Sequence, residues 1–166
     1  MATSNEMAIE PVGFVHHGHD DTTVKEQWAT LEARIEVDEK FAEGLDLIDE
    51  FSHLMVLYWM HRLREGGREI LQIKPRGLLK YGLTLEELPL VGVFASDAPV
   101  RPNPIGLTVV QLLGRERNVL TVRGLDAFEG APVIDIKPYT EDRLVPDART
   151  AGWHQELLRK TGAKRV

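Results

Sequence analysis

The chain of 166 residues contains no cysteine. This absence excludes a disulfide framework, a cysteine nucleophile and zinc ligated by cysteine. It also excludes an iron–sulfur cluster held by cysteine, and with it the radical chemistry that depends on such a cluster. Any chemistry that the chain carries therefore uses other side chains.

Long apolar runs and familiar ligand motifs are missing as well. No apolar run approaches the ~20 residues of a membrane span. The first residues, MATSNEMAIEP, lack the basic start and apolar stretch of a signal peptide. We therefore expect a cytoplasmic protein with no membrane partner. There is no G-x-G-x-x-G, no phosphate-binding P-loop and no G-x-S-x-G nucleophile elbow, so such motifs leave the ligand open.

Basic residues are outnumbered, because 20 Lys and Arg face 26 Asp and Glu, a net charge of −6. Nucleic-acid binding normally uses a basic surface, so this balance argues mildly against a nucleic-acid partner. One stretch is locally basic and could form a patch or simply a solvated surface. It contains Arg62, Arg64, Arg68, Lys74, Arg76 and Lys80.

Short strands dominate the pattern. Residues 33–37 alternate apolar and polar, which is typical of a half-buried strand, and the apolar run 53–60 indicates a strand buried on both faces. Further strands are predicted at 11–17, 69–74, 91–95, 107–113, 119–123 and 132–137, with short helices at 39–43, 84–87 and 150–160. Residues 22–31 are expected to begin as a loop. Many strands with few helices indicate a mainly β fold, a barrel or a sandwich.

Residues 101–106 read RPNPIG. Pro102 and Pro104 fix their own φ angles and push Arg101 and Asn103 out of the helical region. The result is a stiff, non-helical strap that could present Arg101 and Asn103 at a site without further ordering cost. The alternative is a structural turn before a strand, which the spacing alone favours.

Four blocks in order resemble the TsaA-like, or TrmO-like, family. They are PVGFV (11–15), LDLIDEFSHLMVLYWMHRL (45–63), VGVFASDAPVRPNPIG (91–106) and VRGLDAFEGAPVIDIKPY (122–139). The resemblance implies a single β-barrel with short helical insertions, a core over about 9–147 and a C-terminal helical tail over about 148–166, all in one domain. It also implies a homodimer that binds S-adenosyl-L-methionine without a Rossmann fold.

The resemblance implies a set of cofactor-binding residues. They are Glu26, Gln27, Trp28, His61, Arg62, Asp97, Leu107, Asp126, Glu129, Gly130, Ala131 and Pro132. The loop DAFEGAP departs from the family's D-x-x-D-G-T-P, because Glu129 keeps the charge while Ala131 removes a hydroxyl. The alternatives are an ordinary hairpin turn for this loop, a core position for Trp28 and a solvent-facing strand end for His61.

Asp97 stands where the family usually has arginine. An aspartate would repel the cofactor carboxylate or a tRNA phosphate, but it could attract the cofactor's ammonium or sulfonium group. Arg62 is a second departure, because glutamine is usual there, and a guanidinium at this position could bind the cofactor carboxylate.

Three residues are candidates for the chemistry, namely Arg101 and Asn103 for positioning and Asp135 for accepting a proton. Asp135 could instead form an ion pair with Lys137. The cluster His16, His17, His19, Asp20 and Asp21 has residue types that suit a metal, but its spacing fits no known motif and the family needs none, so we expect no metal.

The resemblance therefore implies an S-adenosylmethionine-dependent methyltransferase similar to the enzymes that methylate N6 of threonylcarbamoyladenosine in tRNA. Two alternatives stay open. One is a binding module that holds S-adenosylmethionine without catalysis, and the other is a methyltransferase that acts on a small molecule. The acidic charge and Asp97 favour these alternatives over tRNA.

Overall fold

The computed structural model of the protein describes residues 8–162, which divide into two compact units. The first unit comprises the described residues up to His61 together with Ile105–Thr140. The second comprises Arg62–Pro104 and the described residues from Glu141 onward. The second unit is thus partly an insertion in the sequence of the first. A single domain with a core over 9–147 stays a prediction.

Within residues 8–162, eight strands form two separate sheets. They are β1 (Gly13–His16), β2 (Glu32–Val37), β3 (His53–Trp59), β4 (Gln72–Ile73), β5 (Val91–Gly92), β6 (Ile105–Glu116), β7 (Val119–Arg123) and β8 (Pro132–Pro138). Six of them close into a barrel in the order β1-β2-β7-β6-β3-β8, every neighbouring pair antiparallel. The expected mainly β barrel with short helical insertions is confirmed.

Alternation of side chains builds the barrel core, because successive residues of a strand point to opposite faces. In β2 the inward residues Ala33, Ile35 and Val37 are buried, while the glutamates and the arginine between them are exposed. The interior also contains Val15, Leu54, Val56, Val110, Leu120, Val122 and Val133, all fully buried. Fully burying one such side chain stabilises the fold by about 1.5–3 kcal/mol.

The prediction that 53–60 is buried on both faces is wrong for its outer face. Leu54, Val56 and Tyr58 are buried, but His53 is exposed and Met55, Leu57 and Trp59 are only half-buried. The other barrel strands agree with prediction to within a few residues. Strand β7 has the predicted bounds, β6 is longer than predicted and β1 is shorter.

The prediction that residues 22–31 begin as a loop is wrong. Residues Asp21–Gln27 form helix α1, because the Asp20 carboxylate accepts hydrogen bonds from the backbone N–H groups of Thr22 and Thr23, at 2.9 and 3.0 Å. The bonds from Thr23 and Thr22 lower the pKa of Asp20. A 3-10 helix, Trp28–Thr30, follows.

Asp38 caps a helix as predicted. Its carboxylate accepts from the N–H of Lys40, but the helix over Glu39–Leu45 is of the 3-10 type and longer than expected. A further short 3-10 helix, Ile48–Glu50, precedes β3.

The second unit contains the β4–β5 pair, α2 (Gly152–Thr161) and several short 3-10 helices, Gly67–Glu69, Arg76–Tyr81, Val93–Ala95 and Glu141–Arg143. Thr84 donates to the Glu87 carboxylate through its N–H at 2.8 Å and its hydroxyl at 3.0 Å, but residues 84–87 form a turn where a helix was predicted. None of the helices between residues 8 and 162 has the length and apolar character that crossing a membrane requires.

Candidate functional site

A carboxylate held by two buried hydroxyls lies where the loop between β7 and β8 begins. Tyr58 on β3 and Thr108 on β6 point into the barrel and are 4% and 8% exposed. The Tyr58 hydroxyl donates to Oδ1 of Asp126 at 2.7 Å, and the Thr108 hydroxyl donates to the same oxygen. Asp126 itself is exposed, so its carboxylate is anchored on the core side and open to solvent on the other.

Gly106 makes room for Tyr58. The two residues face each other across the β3–β6 pair, and a Cβ atom at position 106 would lie 2.2 Å from Cζ of the tyrosine ring and 2.6 Å from its oxygen. Only glycine therefore permits this ring position. Gly106, the last residue of RPNPIG, is therefore required because it leaves space for the Tyr58 ring, whose hydroxyl binds Asp126.

Glu129 fastens the same loop to the end of β1. Its Oε2 accepts from the backbone N–H groups of His17 and Gly18 at 2.6 and 2.8 Å, and its Oε1 lies 3.1 Å from Nδ1 of His16. Partial burial raises the pKa of Glu129, but the hydrogen bonds from these three residues outweigh it and lower that pKa from 4.5 to about 2. Glu129 is therefore ionised at neutral pH, and its carboxylate closes the turn.

His17 completes this fastening through both nitrogens of its ring. Its Nδ1 lies 3.0 Å from the N–H of His19 and its Nε2 lies 3.2 Å from the Ala127 carbonyl. Because a backbone N–H only donates and a carbonyl only accepts, the ring proton is assigned to Nε2. Over residues 8–162, no three His, Asp or Glu side chains are grouped so that they could hold a metal ion. Of the three histidines considered as metal ligands, His16 and His17 contact the loop, and the His19 N–H donates to the His17 ring.

Five of the predicted cofactor residues lie together in the loop of residues 126–132. Gly130 has φ 76°, and its N–H donates to the Val15 carbonyl at 2.8 Å, while Ala131 donates to the Phe128 carbonyl at 3.0 Å. A Cβ atom at Gly130 would meet nothing within 4 Å, so open space lies beside the turn. Pro132 begins β8.

Helix α1 lies against the same loop. The Lys25 ammonium sits 5.3 Å from the centroid of the Phe128 ring. Glu26 and Gln27, at the end of this helix, are exposed, and Trp28 is half-buried. The predicted residues 26–28 are therefore carried by an element that contacts the candidate loop.

Other predicted residues of the first unit lie outside the loop of residues 126–132, on the barrel strands or just beyond them. Leu107 precedes Thr108 on β6, so it points out of the barrel, where it is 61% exposed. His61 is exposed, two residues beyond the end of β3. Asp135 lies 2.5 Å from the Lys137 ammonium, and its Oδ1 accepts from the Ile136 N–H. The ion pair considered from the sequence is therefore present.

The remaining predicted residues belong to the second unit. Nη2 of Arg101 donates to the carbonyls of Val93 and Ser96 at 2.7 and 2.6 Å. Its Nε is buried and meets no hydrogen-bond acceptor in the part of the chain that the structure describes. Asp97 is exposed, as are Asn103 and Arg62. The Arg101 guanidinium thus stabilises the turn that follows β5 through these two hydrogen bonds.

Charge is divided unevenly between the units. The described part of the first unit has 7 Lys and Arg against 16 Asp and Glu, whereas that of the second has 11 against 9. The chain's overall acidity therefore comes from the barrel. The basic stretch noted in the sequence lies within the second unit, where a slight excess of positive charge survives.

Sequence reasoning missed Tyr58 and Thr108. A signal for both was available, because each is a hydroxyl residue at an inward position of an alternating strand. A polar group at such a position needs a hydrogen-bond partner, which in this barrel is Asp126.

The closed barrel and the loop of residues 126–132 assign the chain to the TsaA-like class that the sequence indicated. Within that class, residues 20–143 match the family described as the tRNA-methyltransferase O N-terminal domain, and the chain belongs to this family.

Relatives of known name share much of the sequence. A "Probable S-adenosyl-L-methionine-binding protein" of Methanothermobacter thermautotrophicus is 41% identical over 140 residues, which cover 82% of this chain and 93% of the relative. The "tRNA (adenine(37)-N6)-methyltransferase" of Escherichia coli is 35% identical over 112 residues, which cover 64% of this chain and 44% of that enzyme.

A solved structure has the same fold. The crystal structure of TrmO from Pseudomonas aeruginosa superposes with a TM-score of 0.65 at 27% identity, over 87% of this chain and 61% of that one. The chain thus spans about three-fifths of the solved TrmO protein.

Proposed function

We propose that the protein binds S-adenosyl-L-methionine and transfers its methyl group to N6 of threonylcarbamoyladenosine in tRNA. Membership of the tRNA-methyltransferase O N-terminal domain family supports the reaction class. The observation that carries the proposal is the Asp126 carboxylate, anchored by Tyr58 and Thr108 and open on its other side. It stands at the start of the loop that resembles the family's cofactor loop.

The chemistry of this loop fits the cofactor. A carboxylate with one oxygen already fixed accepts hydrogen bonds from a ribose diol, or attracts an ammonium or sulfonium group, without losing rotamer freedom on binding. The open space beside Gly130 lets a ligand approach the backbone closely. Asp126 would hold the ligand, while Glu129 would keep the loop in shape through the amides of residues 17 and 18.

When bound, the cofactor supplies an electrophilic methyl group, which the acceptor nitrogen approaches in line with the sulfur. Most of the rate gain of such a displacement comes from positioning. We propose that Arg101 contributes indirectly, by fixing the turn that precedes Asp97. The pairing of Asp135 with Lys137 favours a structural role for this aspartate over proton transfer.

Calorimetric titration of S-adenosylmethionine into the Asp126→Asn variant tests the proposed site. We expect the variant to bind about tenfold or more weakly than the wild type, because an amide that keeps its oxygen on the two hydroxyls lacks the carboxylate's charge and presents an NH2 donor where the second carboxylate oxygen stood. The matched control is Asp49→Asn, at another exposed aspartate of the first unit. Equal affinities of wild type and Asp126→Asn would contradict this placement of the cofactor.

The second candidate is a module that binds the cofactor without transferring its methyl group. It is favoured by the exposed Asp97, where the family usually has arginine, and by the strong excess of acidic residues in the first unit. Cofactor binding without transfer to any tRNA, under conditions where the wild type is folded, would support this candidate.

We further propose a cytoplasmic homodimer. The support for the dimer is the outward face of β6, where Leu107, Val109 and Leu113 are 61%, 41% and 37% exposed at alternate positions. Sedimentation equilibrium of wild type and Val109→Asp tests this. A wild-type mass near twice 18.7 kDa that falls to the monomer value in the variant is expected, and a monomeric wild type would contradict it.

A further inference from the structure

Phe94 is the most exposed large apolar side chain in the described part of the protein, with 82% of its surface in contact with solvent. A single exposed apolar residue needs no special explanation. The backbone beneath this one, however, is held much more tightly than its exposure suggests. Phe94 lies in the middle of the short 3-10 helix Val93–Ala95, immediately after β5.

Hydrogen bonds immobilise the turn on both sides of the ring. The Val93 carbonyl accepts from Arg101 at 2.7 Å, from the Ser96 N–H at 3.3 Å and from the Ser96 hydroxyl at 3.1 Å. The Ser96 carbonyl accepts a second bond from Arg101, and the Val93 N–H donates to the Leu71 carbonyl at 3.0 Å. Val93 itself is 1% exposed. The ring is therefore presented to solvent from a fixed base.

Basic side chains belong to the same unit. Arg68 donates from Nε to the Pro102 carbonyl at 2.8 Å, which ties a basic loop to the residue next to Arg101. Arg62, Arg64, Arg76 and Lys80 are also exposed. Arg68 thus binds the strap at Pro102, and the neighbouring Arg101 of the strap binds the turn that carries Phe94.

We propose that Phe94 is a stacking platform for an unstacked base of the tRNA loop. Proteins that bind single-stranded nucleic acid combine aromatic faces, on which bases stack, with cationic side chains that contact phosphates. A fixed ring loses little freedom when a base stacks on it. The proposal rests on the proposed function, because it assumes that the substrate is tRNA.

Titration of a fluorescent anticodon stem-loop RNA tests the platform. Phe94→Ala is expected to weaken binding about 5- to 150-fold, the range for loss of one stacking contact. Phe94→Trp is expected to bind as the wild type does, and Phe94→Leu to bind like Phe94→Ala, because stacking needs a π face. The salt dependence of the affinity is expected to be unchanged in all three variants, because no charge is removed. Leu90→Ala, at another exposed apolar residue of this unit, is the matched control.

The outcomes separate the platform from the proposed function. Wild-type affinity in Phe94→Ala, with RNA binding intact, would overturn the platform and leave the tRNA proposal standing. Wild-type affinity in Phe94→Leu, or a change in sedimentation of Phe94→Ala in the absence of RNA, would also overturn it and indicate a protein contact. A wild type that binds S-adenosylmethionine but no RNA would overturn the platform and the tRNA substrate together.

Discussion

Replacing Glu129 by glutamine tests whether an ionised carboxylate holds the loop of residues 126–132. In the wild type its Oε2 accepts from the N–H groups of both His17 and Gly18, and its Oε1 contacts the His16 ring. Glutamine has nearly the same shape, but it is neutral and turns one oxygen into a donor. In the variant the amide oxygen can still accept from both backbone N–H groups, but the negative charge that strengthens these bonds is lost and an NH2 group replaces the oxygen beside His16, so we expect the free energy of unfolding to fall.

The magnitude follows from the pKa. Lowering the pKa of Glu129 from 4.5 to about 2 corresponds to an upper limit of about 3 kcal/mol at neutral pH, since one unit is about 1.4 kcal/mol. Because the side chain is still 35% exposed, water screens these contacts, and we expect about 1–2 kcal/mol.

The sign of the pH dependence follows from the direction of the shift. The folded-state pKa of Glu129 is below its unfolded value, so its contribution is fully present above about pH 4.5 and is lost as the pH falls toward 2. Urea denaturation at pH 7 and pH 3 measures this. The difference between wild type and Glu129→Gln is expected to shrink to half or less at pH 3. The control Glu116→Gln, at an exposed barrel glutamate, is expected to change little at either pH.

Two results would refute this reasoning. One is a Glu129→Gln variant as stable as the wild type at pH 7. The other is a stability difference that is the same at pH 7 and pH 3, because an effect of shape alone does not titrate.

Other substitutions test the remaining contacts. Gly106→Ala is expected to destabilise the protein by about 1–3 kcal/mol in urea denaturation, because its methyl group overlaps the Tyr58 ring, and an unchanged midpoint would contradict this. Thr108→Val is expected to cost about 1 kcal/mol and to weaken S-adenosylmethionine binding in calorimetry, whereas unchanged binding would separate this hydroxyl from the ligand. Asp20→Ala, which removes the cap of α1, is expected to lower the stability of that helix, with amide exchange faster in α1 alone. If exchange in α1 stayed at the wild-type rate, the cap would not stabilise that helix.

The barrel strands were predictable because their signal is local. Alternation over residues 33–37 gives the inward face of β2 directly, and Asn118 marks the turn into β7, where its side chain donates to the Val37 carbonyl. Helix α1 was missed because its sequence has little apolar periodicity. Its formation depends on the cap at Asp20, a signal that was present but not used. The outer face of β3 was misjudged because an apolar run does not reveal which side chains another element covers.

The site was only partly predictable because its contacts join distant parts of the chain. The loop of residues 126–132 was located from its resemblance to a family motif, but Glu129 meets amides 111 and 112 residues away. A contact between residues so far apart in the chain cannot be predicted from the spacing of residues in the sequence. Arg101 illustrates the opposite case, because its stiff surroundings were predicted while its hydrogen bonds to Val93 and Ser96 depend on how the preceding turn folds.

Transfer of a labelled methyl group from S-adenosylmethionine to tRNA tests the central proposal most directly. The substrate is tRNA that carries threonylcarbamoyladenosine but lacks the methyl group, compared with the same tRNA without the threonylcarbamoyl group, and Asp126→Asn is the paired variant. We expect the wild type to label only the first tRNA, and the variant to label it more slowly at subsaturating cofactor. Absence of labelling by a wild type that binds S-adenosylmethionine in calorimetry would contradict the proposed reaction.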